Sequence, residues 1–158
     1  VSQQATQRLK LAKKLVRVRQ QQLDQEVAAL ADVRRRKEEA KGEMQKAWAQ
    51  YMSGVDKINR LRTSGQGALL DAIEKGLDLV KQRWVDWLGK VKLLDQNEQA
   101  QMQRVQQMRL EVNKTERLEE RSQVVVNEIE RKAEQKILDE FAVRRFMDQR
   151  RALREQAE

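Results

Sequence analysis

The chain contains neither histidine nor cysteine, so the side chains that most often act as acid–base catalysts, nucleophiles and metal ligands are missing. A bundle-type di-iron site needs Glu-x-x-His, which the sequence does not contain. Carboxylates such as Glu119 and Glu120 are neighbours along the chain and do not face each other on a helix, so they belong to a solvated surface. The "GQG" at residues 65–67 lacks the Lys-Ser/Thr that completes a phosphate-binding loop. No catalytic residue, metal ligand or cofactor is expected. The chemistry on offer is recognition. Phe141 and Phe146, the only two phenylalanines, stand in "ILDEFAVRRF" between acids and arginines. Residues 1–23 carry Arg8, Lys10, Lys13, Lys14, Arg17 and Arg19 and no acid; the first is Asp24. A basic arm of this kind seeks an acidic surface, a nucleic acid or an anionic lipid face.

The elements that position these residues follow from composition and period. Of 158 residues, 37% are charged and 4% aromatic, with no proline. Length suggests one domain, and the excess of Gln, Glu, Lys, Arg, Ala and Leu is that of long helices joined by a thin apolar seam. The absence of cysteine permits a reducing compartment. No apolar run is long enough to span a membrane, and no signal peptide is visible. The arm has the charge of a presequence, but the heptad pattern runs through it unbroken. The chain begins at Val1 without a methionine, which leaves room for residues upstream.

Steps of seven from Leu9 give Leu9, Val16, Leu23, Leu30, Lys37, Met44, Tyr51 and Ile58. A companion row gives Val33, Ala40, Ala47, Gly54 and Leu61. These form a coiled-coil seam that only Lys37 interrupts in the first row. The seam stops at "RTSGQG", residues 62–67, where Gly65 is suited to the left-handed conformation that ends helices. Gly54, alone inside the pattern, allows close packing or a mild kink. The rhythm then resumes in two rows. One contains Leu70, Leu77, Trp84, Val91, Glu98, Val105 and Val112; the other contains Ile73, Val80, Trp87, Leu94, Gln101, Met108 and Thr115. The expected fold is all-α: a long antiparallel two-helix coiled-coil hairpin with a longer C-terminal helix, and room for a short helix after the turn. Residues 1–158 form a single helical-hairpin domain in this reading, with helix 1 over about 3–62, a turn at about 63–67 and helix 2 over about 68–155.

With the apex near Gly65 and equal rise in both helices, positions whose numbers sum to about 131 face each other. Trp48 then meets Arg83 and Trp84, Met44 meets Trp87, and Tyr51 meets Val80. "RRRK", residues 34–37, meets Asp95 to Glu98, which explains a lysine and a glutamate in the seam. Residue 1 faces about residue 130, so about 28 residues, roughly 40 Å of helix, extend without a partner. Phe141 and Phe146 lie in that overhang, with Ile137, Leu138 and Phe141 on one stripe and Ala142, Phe146 and Leu153 on another. A lone exposed helix has no use for two apolar faces. Either the helix bends back or is covered in a dimer, or this end docks another protein, the arginines around the aromatics being the usual make-up of a binding hot spot. Trp84 and Trp87 fall on seam positions, where tryptophan is more often core than contact, while Trp48 is off both rows. One pole basic with apolar knobs and an aromatic other half suggest a connector.

The motif "LDEFAVRRF", Leu138 to Phe146, resembles the C-terminal "DEFA-x-R" signature of the FliJ/YscO family, central-stalk proteins of flagellar export and type III secretion. The layout is also similar: two long helices, a Ser/Gly turn before mid-chain, a longer second helix and tryptophans early in it. The lack of Pro, Cys and His and the apolar "WVDWL" at residues 84–88 favour the virulence-type branch. The resemblance implies a non-enzymatic stalk in the bacterial cytoplasm, at the inner-membrane base of the secretion apparatus. Its termini end enters a hexameric secretion ATPase and stimulates it, and it couples the ATPase to the cytoplasmic domain of the export gate. Export chaperones are further partners of some members. The signature matches Asp139, Glu140, Phe141, Ala142 and Arg144, so ATPase contact is expected there, with Arg145, Phe146 and the arm residues Lys10, Lys13, Lys14 and Arg17 beside it. Gate contact is expected toward the apex, on Trp48, Tyr51, Ile73, Leu77, Trp84 and Trp87, by position and aromatic character alone.

The alternative is a basic coiled-coil nucleic-acid-binding or scaffold protein, which the net charge of +8 and the acid-free arm permit. Against nucleic acid, "RRRK" is followed at once by "EE", and no aromatic joins the arm to form a base platform. Leu9, Leu11, Leu15 and Val16 among basic residues could meet a membrane surface, but their seven-residue spacing assigns them to the seam. Neither nucleic-acid binding nor membrane insertion is expected.

Overall fold

A computed structural model describes residues 2–65 and 67–157. It contains two helices, α1 (Ser2–Ser64) and α2 (Gly67–Ala157). α1 ends for local reasons. The Thr63 hydroxyl donates to the Arg60 carbonyl at 2.7 Å and the Ser64 hydroxyl to the Leu61 carbonyl at 3.1 Å, local side-chain bonds to the last turn that compete with continuation of the helix. Arg62 adds a positive charge to the last turn, where the helix dipole favours it. Gly65 then takes φ +75°, which a side chain rarely tolerates. The Gly67 amide donates to the Gly65 carbonyl at 3.2 Å. Gln66, part of the expected turn, lies outside the described residues, as do Val1 and Glu158. The short separate helix allowed for after the turn is not formed: α2 runs unbroken from Gly67, because no proline interrupts it.

The two helices pack antiparallel as a helical hairpin, and their residues divide into two compact units. The apex unit comprises residues 22–109. Contacts there descend α1 as they ascend α2: Arg62 pairs with Glu74 at 3.1 Å, Trp48 stacks on Trp84, and Lys37 meets Asp95. Its buried apolar positions are Leu30, Ala40, Ala47, Ile58 and Val105, and Gln101 is buried beside them. The four apolar positions of α1 fall on its two rows of seven, and Gln101 and Val105 continue the rows of α2. Alanines at 40 and 47 let the backbones approach closely. Gly54 does the same at its level, since a Cβ there would lie 2.5 Å from Leu77 Cδ1. Close packing therefore accounts for this glycine, and α1 continues through it as helix.

The termini unit comprises residues 1–21 and 110–158. Leu9, Ala12, Val112 and Thr115 are buried here. The Thr115 hydroxyl donates to the Val112 carbonyl at 2.8 Å within α2, so a polar side chain occupies the seam without an unmet hydrogen bond. Burial stops abruptly along α2. Ile129 is half-buried, and every described residue from Arg131 to Ala157 is exposed.

Candidate functional site

The expected ATPase-contact residues Asp139, Glu140, Phe141, Ala142, Arg144, Arg145 and Phe146 all lie on the exposed segment of α2. Phe141 is 64% exposed and Phe146 63%, beside equally open Ile137, Leu138, Val143, Met147 and Leu153. Local polar contacts stiffen the start of this segment: Arg131 pairs with Glu128 at 2.8 Å, and the Gln135 amide donates to Asp139 at 3.1 Å. Arg131 holds the Glu128 carboxyl below its ordinary value, mainly through that hydrogen bond. Further on, no described carboxylate lies within ion-pair distance of Arg144, Arg145, Arg150, Arg151 or Arg154. The segment thus presents large apolar side chains and guanidinium groups together, with their hydrogen-bonding capacity open to a partner.

Lys10, Lys13, Lys14 and Arg17 are exposed on α1 in the same unit. Their spacing of three and four residues sets them in one stripe. They do not adjoin the phenylalanines. Arg8, Leu11 and Leu15 border the same depression as Leu118 and Ser122, and Phe141 is about 30 Å further along α2 at 1.5 Å per residue. The basic arm and the aromatic motif are two sites in one unit.

In the apex unit, three of the six expected gate-contact residues come together. The rings of Trp48 and Trp84 are 4.9 Å apart and tilted by 47°, and Tyr51 lies 5.8 Å from Trp48. Such tilted geometry suits the ring quadrupoles. Trp48, off the seam, is 43% exposed, while Tyr51 and Trp84 are half-buried. Leu77 is spent on the Gly54 contact, and Ile73 is half-buried. Trp87 lines a separate groove with Ala40, Leu93 and Leu94, and the Lys90 ammonium sits 4.2 Å from its ring centre, a cation–π contact.

Charges enter the seam just below this level. The Lys37 ammonium lies 2.7 Å from Asp95 and 3.1 Å from Glu98, and Arg34 adds a contact to Glu98 at 3.6 Å. The Lys37 side chain is only 16% exposed. Hydrogen bonds to Asp95 and then Glu98 raise its pKa, and Lys37 in turn lowers that of Asp95. The Gln101 amide donates to the Glu26 carbonyl at 3.0 Å and to its carboxylate. Glu26 lies on the companion row of α1, which continues seven residues back from Val33 to Glu26 and on to Arg19 and buried Ala12.

Among the described residues no group of three His, Cys, Asp or Glu side chains is placed to hold a metal. No described helix is long and apolar enough to cross a membrane. No curated protein and no solved structure matches the chain. The family model described as "Flagellar FliJ protein" matches residues 4–151, nearly the whole two-helix chain including the exposed motif, and the chain therefore belongs to the FliJ family of flagellar and type III export components.

Proposed function

We propose that this protein is the non-enzymatic central stalk of a bacterial type III secretion system. It works in the cytoplasm at the inner-membrane base of the apparatus. The segment 131–157 and the basic stripe Lys10–Arg17 enter the ring of a hexameric secretion ATPase and stimulate it. The aromatic cluster of Trp48, Tyr51 and Trp84, with Ile73, Leu77 and Trp87 near it in sequence, meets the cytoplasmic domain of the export gate. Export chaperones are further partners. The observation that carries this reading is the exposed run from Arg131 to Ala157, which bears "DEFAVRR" and has no packing role that would account for Phe141 and Phe146.

Physical chemistry supports the division of labour. Exposed lysines and arginines attract an acidic ring lining over a long range without demanding one fixed register. Apolar side chains then supply short-range affinity. The virulence-type assignment within the family rests on the composition and on "WVDWL" alone. The test is the ATPase activity of the purified cognate secretion ATPase with and without this protein, at two salt concentrations, repeated with Phe141→Ala. Salt-sensitive stimulation lost in the variant supports the stalk. No stimulation and no binding, with salt-dependent retention on DNA, overturns it in favour of a nucleic-acid-binding hairpin.

A further inference from the structure

The termini unit carries an apolar groove that neither the seam nor the exposed segment uses. Ala5, Ala12 and Ser122 give it a floor of small residues, with Ala12 buried. Leu11 on α1 and Leu118 and Val125 on α2 form its sides, and all three are exposed although the seam beside them is closed. The groove runs from Ala5 to Leu15, about 15 Å or three helical turns. A small-residue floor between two rows of large apolar side chains is the acceptor surface for a third helix packed along the first two.

Charge decides what kind of helix. Arg8 and Arg121 border the groove from opposite helices, and neither pairs with a described carboxylate. The chain's own exposed segment has the wrong charge to fill it, since Arg144, Arg145, Arg150, Arg151 and Arg154 outnumber Asp139, Glu140 and Asp148 around its apolar residues. We propose that this groove receives a three-turn amphipathic helix of a partner protein, whose apolar stripe is bordered by carboxylates. The groove is distinct from the Lys10–Arg17 stripe: Arg8, Leu11 and Leu15 form a second stripe, turned by more than a right angle around α1. The proposal stands apart from the ATPase reading, and either can fail alone.

The full chain is titrated by fluorescence anisotropy with a labelled helical peptide of about 14 residues, leucine-striped and bordered by glutamates. The control is the same peptide bordered by lysines. The glutamate peptide is expected to bind about tenfold more tightly or better at low salt. Leu11→Ser with Leu118→Ser weakens it by about tenfold. Arg8→Glu with Arg121→Glu reverses the preference between peptides. Circular dichroism checks that the variants keep their helicity; if the serine pair loses it, the charge-reversal pair decides. Equal binding of the two peptides, no binding, or a preference that survives the charge reversal overturns the proposal.

Discussion

Lys37 and Asp95 meet across the hairpin at 2.7 Å, the lysine standing in a row where its neighbours seven residues away are Leu30 and Met44. A lone charge in that row would weaken the seam, but here it is answered from the opposite helix by Asp95 and Glu98. A charged layer also works against slipped registers, because a shift of one heptad moves Lys37 from Asp95 and Glu98 to Leu88 and Val91 or to Met102 and Val105.

The pair has a pH signature. Lys37 is held above its ordinary value of 10.5, so its contribution is complete below that value and is lost as pH rises through the raised one. Asp95 is held below 3.8, so its contribution is complete above that value and is lost as pH falls through the lowered one. Lys37→Met should therefore lower Tm by an amount that is constant near neutrality and shrinks at both extremes. Adding Glu98→Leu should recover the loss, because an apolar layer replaces an unpaired carboxylate. Thermal melts across pH measure both; recovery absent from the double variant would mean that the charges themselves stabilise the seam.

Gly54 gives a size-dependent prediction. Gly54→Ala gains about 0.5–1 kcal/mol of helix propensity. It also displaces the Leu77 methyl, the mobile end of a side chain, so the net change should be small. Gly54→Leu cannot be absorbed this way and should cost about 1–3 kcal/mol by overpacking. Leu77→Ala combined with Gly54→Leu should restore much of that loss. Denaturant melts of the three variants test the contact.

The aromatic contact is measurable by fluorescence. Trp48→Ala removes a tilted pair worth about 0.5–1.5 kcal/mol beyond its burial. It also opens the face of Trp84, whose emission, isolated by Trp87→Phe with Trp48→Tyr or Trp48→Phe as the shielding control, should move to longer wavelength. An unchanged Trp84 emission would show that the rings do not shield each other in solution.

Much of this was legible because a coiled coil writes its geometry into a period. The rows through Leu9 and Ala40 contain nearly all the buried α1 positions, and the glycine break located the apex. Equal rise about that apex paired Lys37 with Asp95, Trp48 with Trp84, and left the chain beyond residue 130 uncovered. What escaped lay between the rows. Glu26 is hard to read as a seam position because a charge stands there, and its burial depends on the Gln101 amide of the opposite helix. The seam expected for Leu9, Leu11, Leu15 and Val16 holds for buried Leu9 but not for Leu11, which is 64% exposed, because only Leu9 and Val16 are seven residues apart. With Leu118 and Val125, Leu11 lies beside the seam, where a period of seven says nothing about depth. The arm and the phenylalanines belong to one unit but stand apart, since the arm on α1 lies level with Leu118 and Ser122 and the phenylalanines are about 30 Å further along α2.

The exposed segment yields the last prediction. A helix that buries nothing contributes little to the stability of the unit it leaves, and an isolated helix of this length is marginal in water. Truncation after Glu130 should therefore leave Tm within a few degrees of the full chain, whereas truncating α1 by the same length, through buried Leu9 and Ala12, should lower it clearly. Amide exchange should give a matching map: slow at Ala47, Ile58 and Val105, and fast from Arg131 onward. Addition of the cognate ATPase should slow exchange around Phe141 and Phe146 and leave Trp48 unchanged. Protection that instead falls only on the Lys10–Arg17 stripe would move the contact to the basic arm and leave the two phenylalanines for another partner.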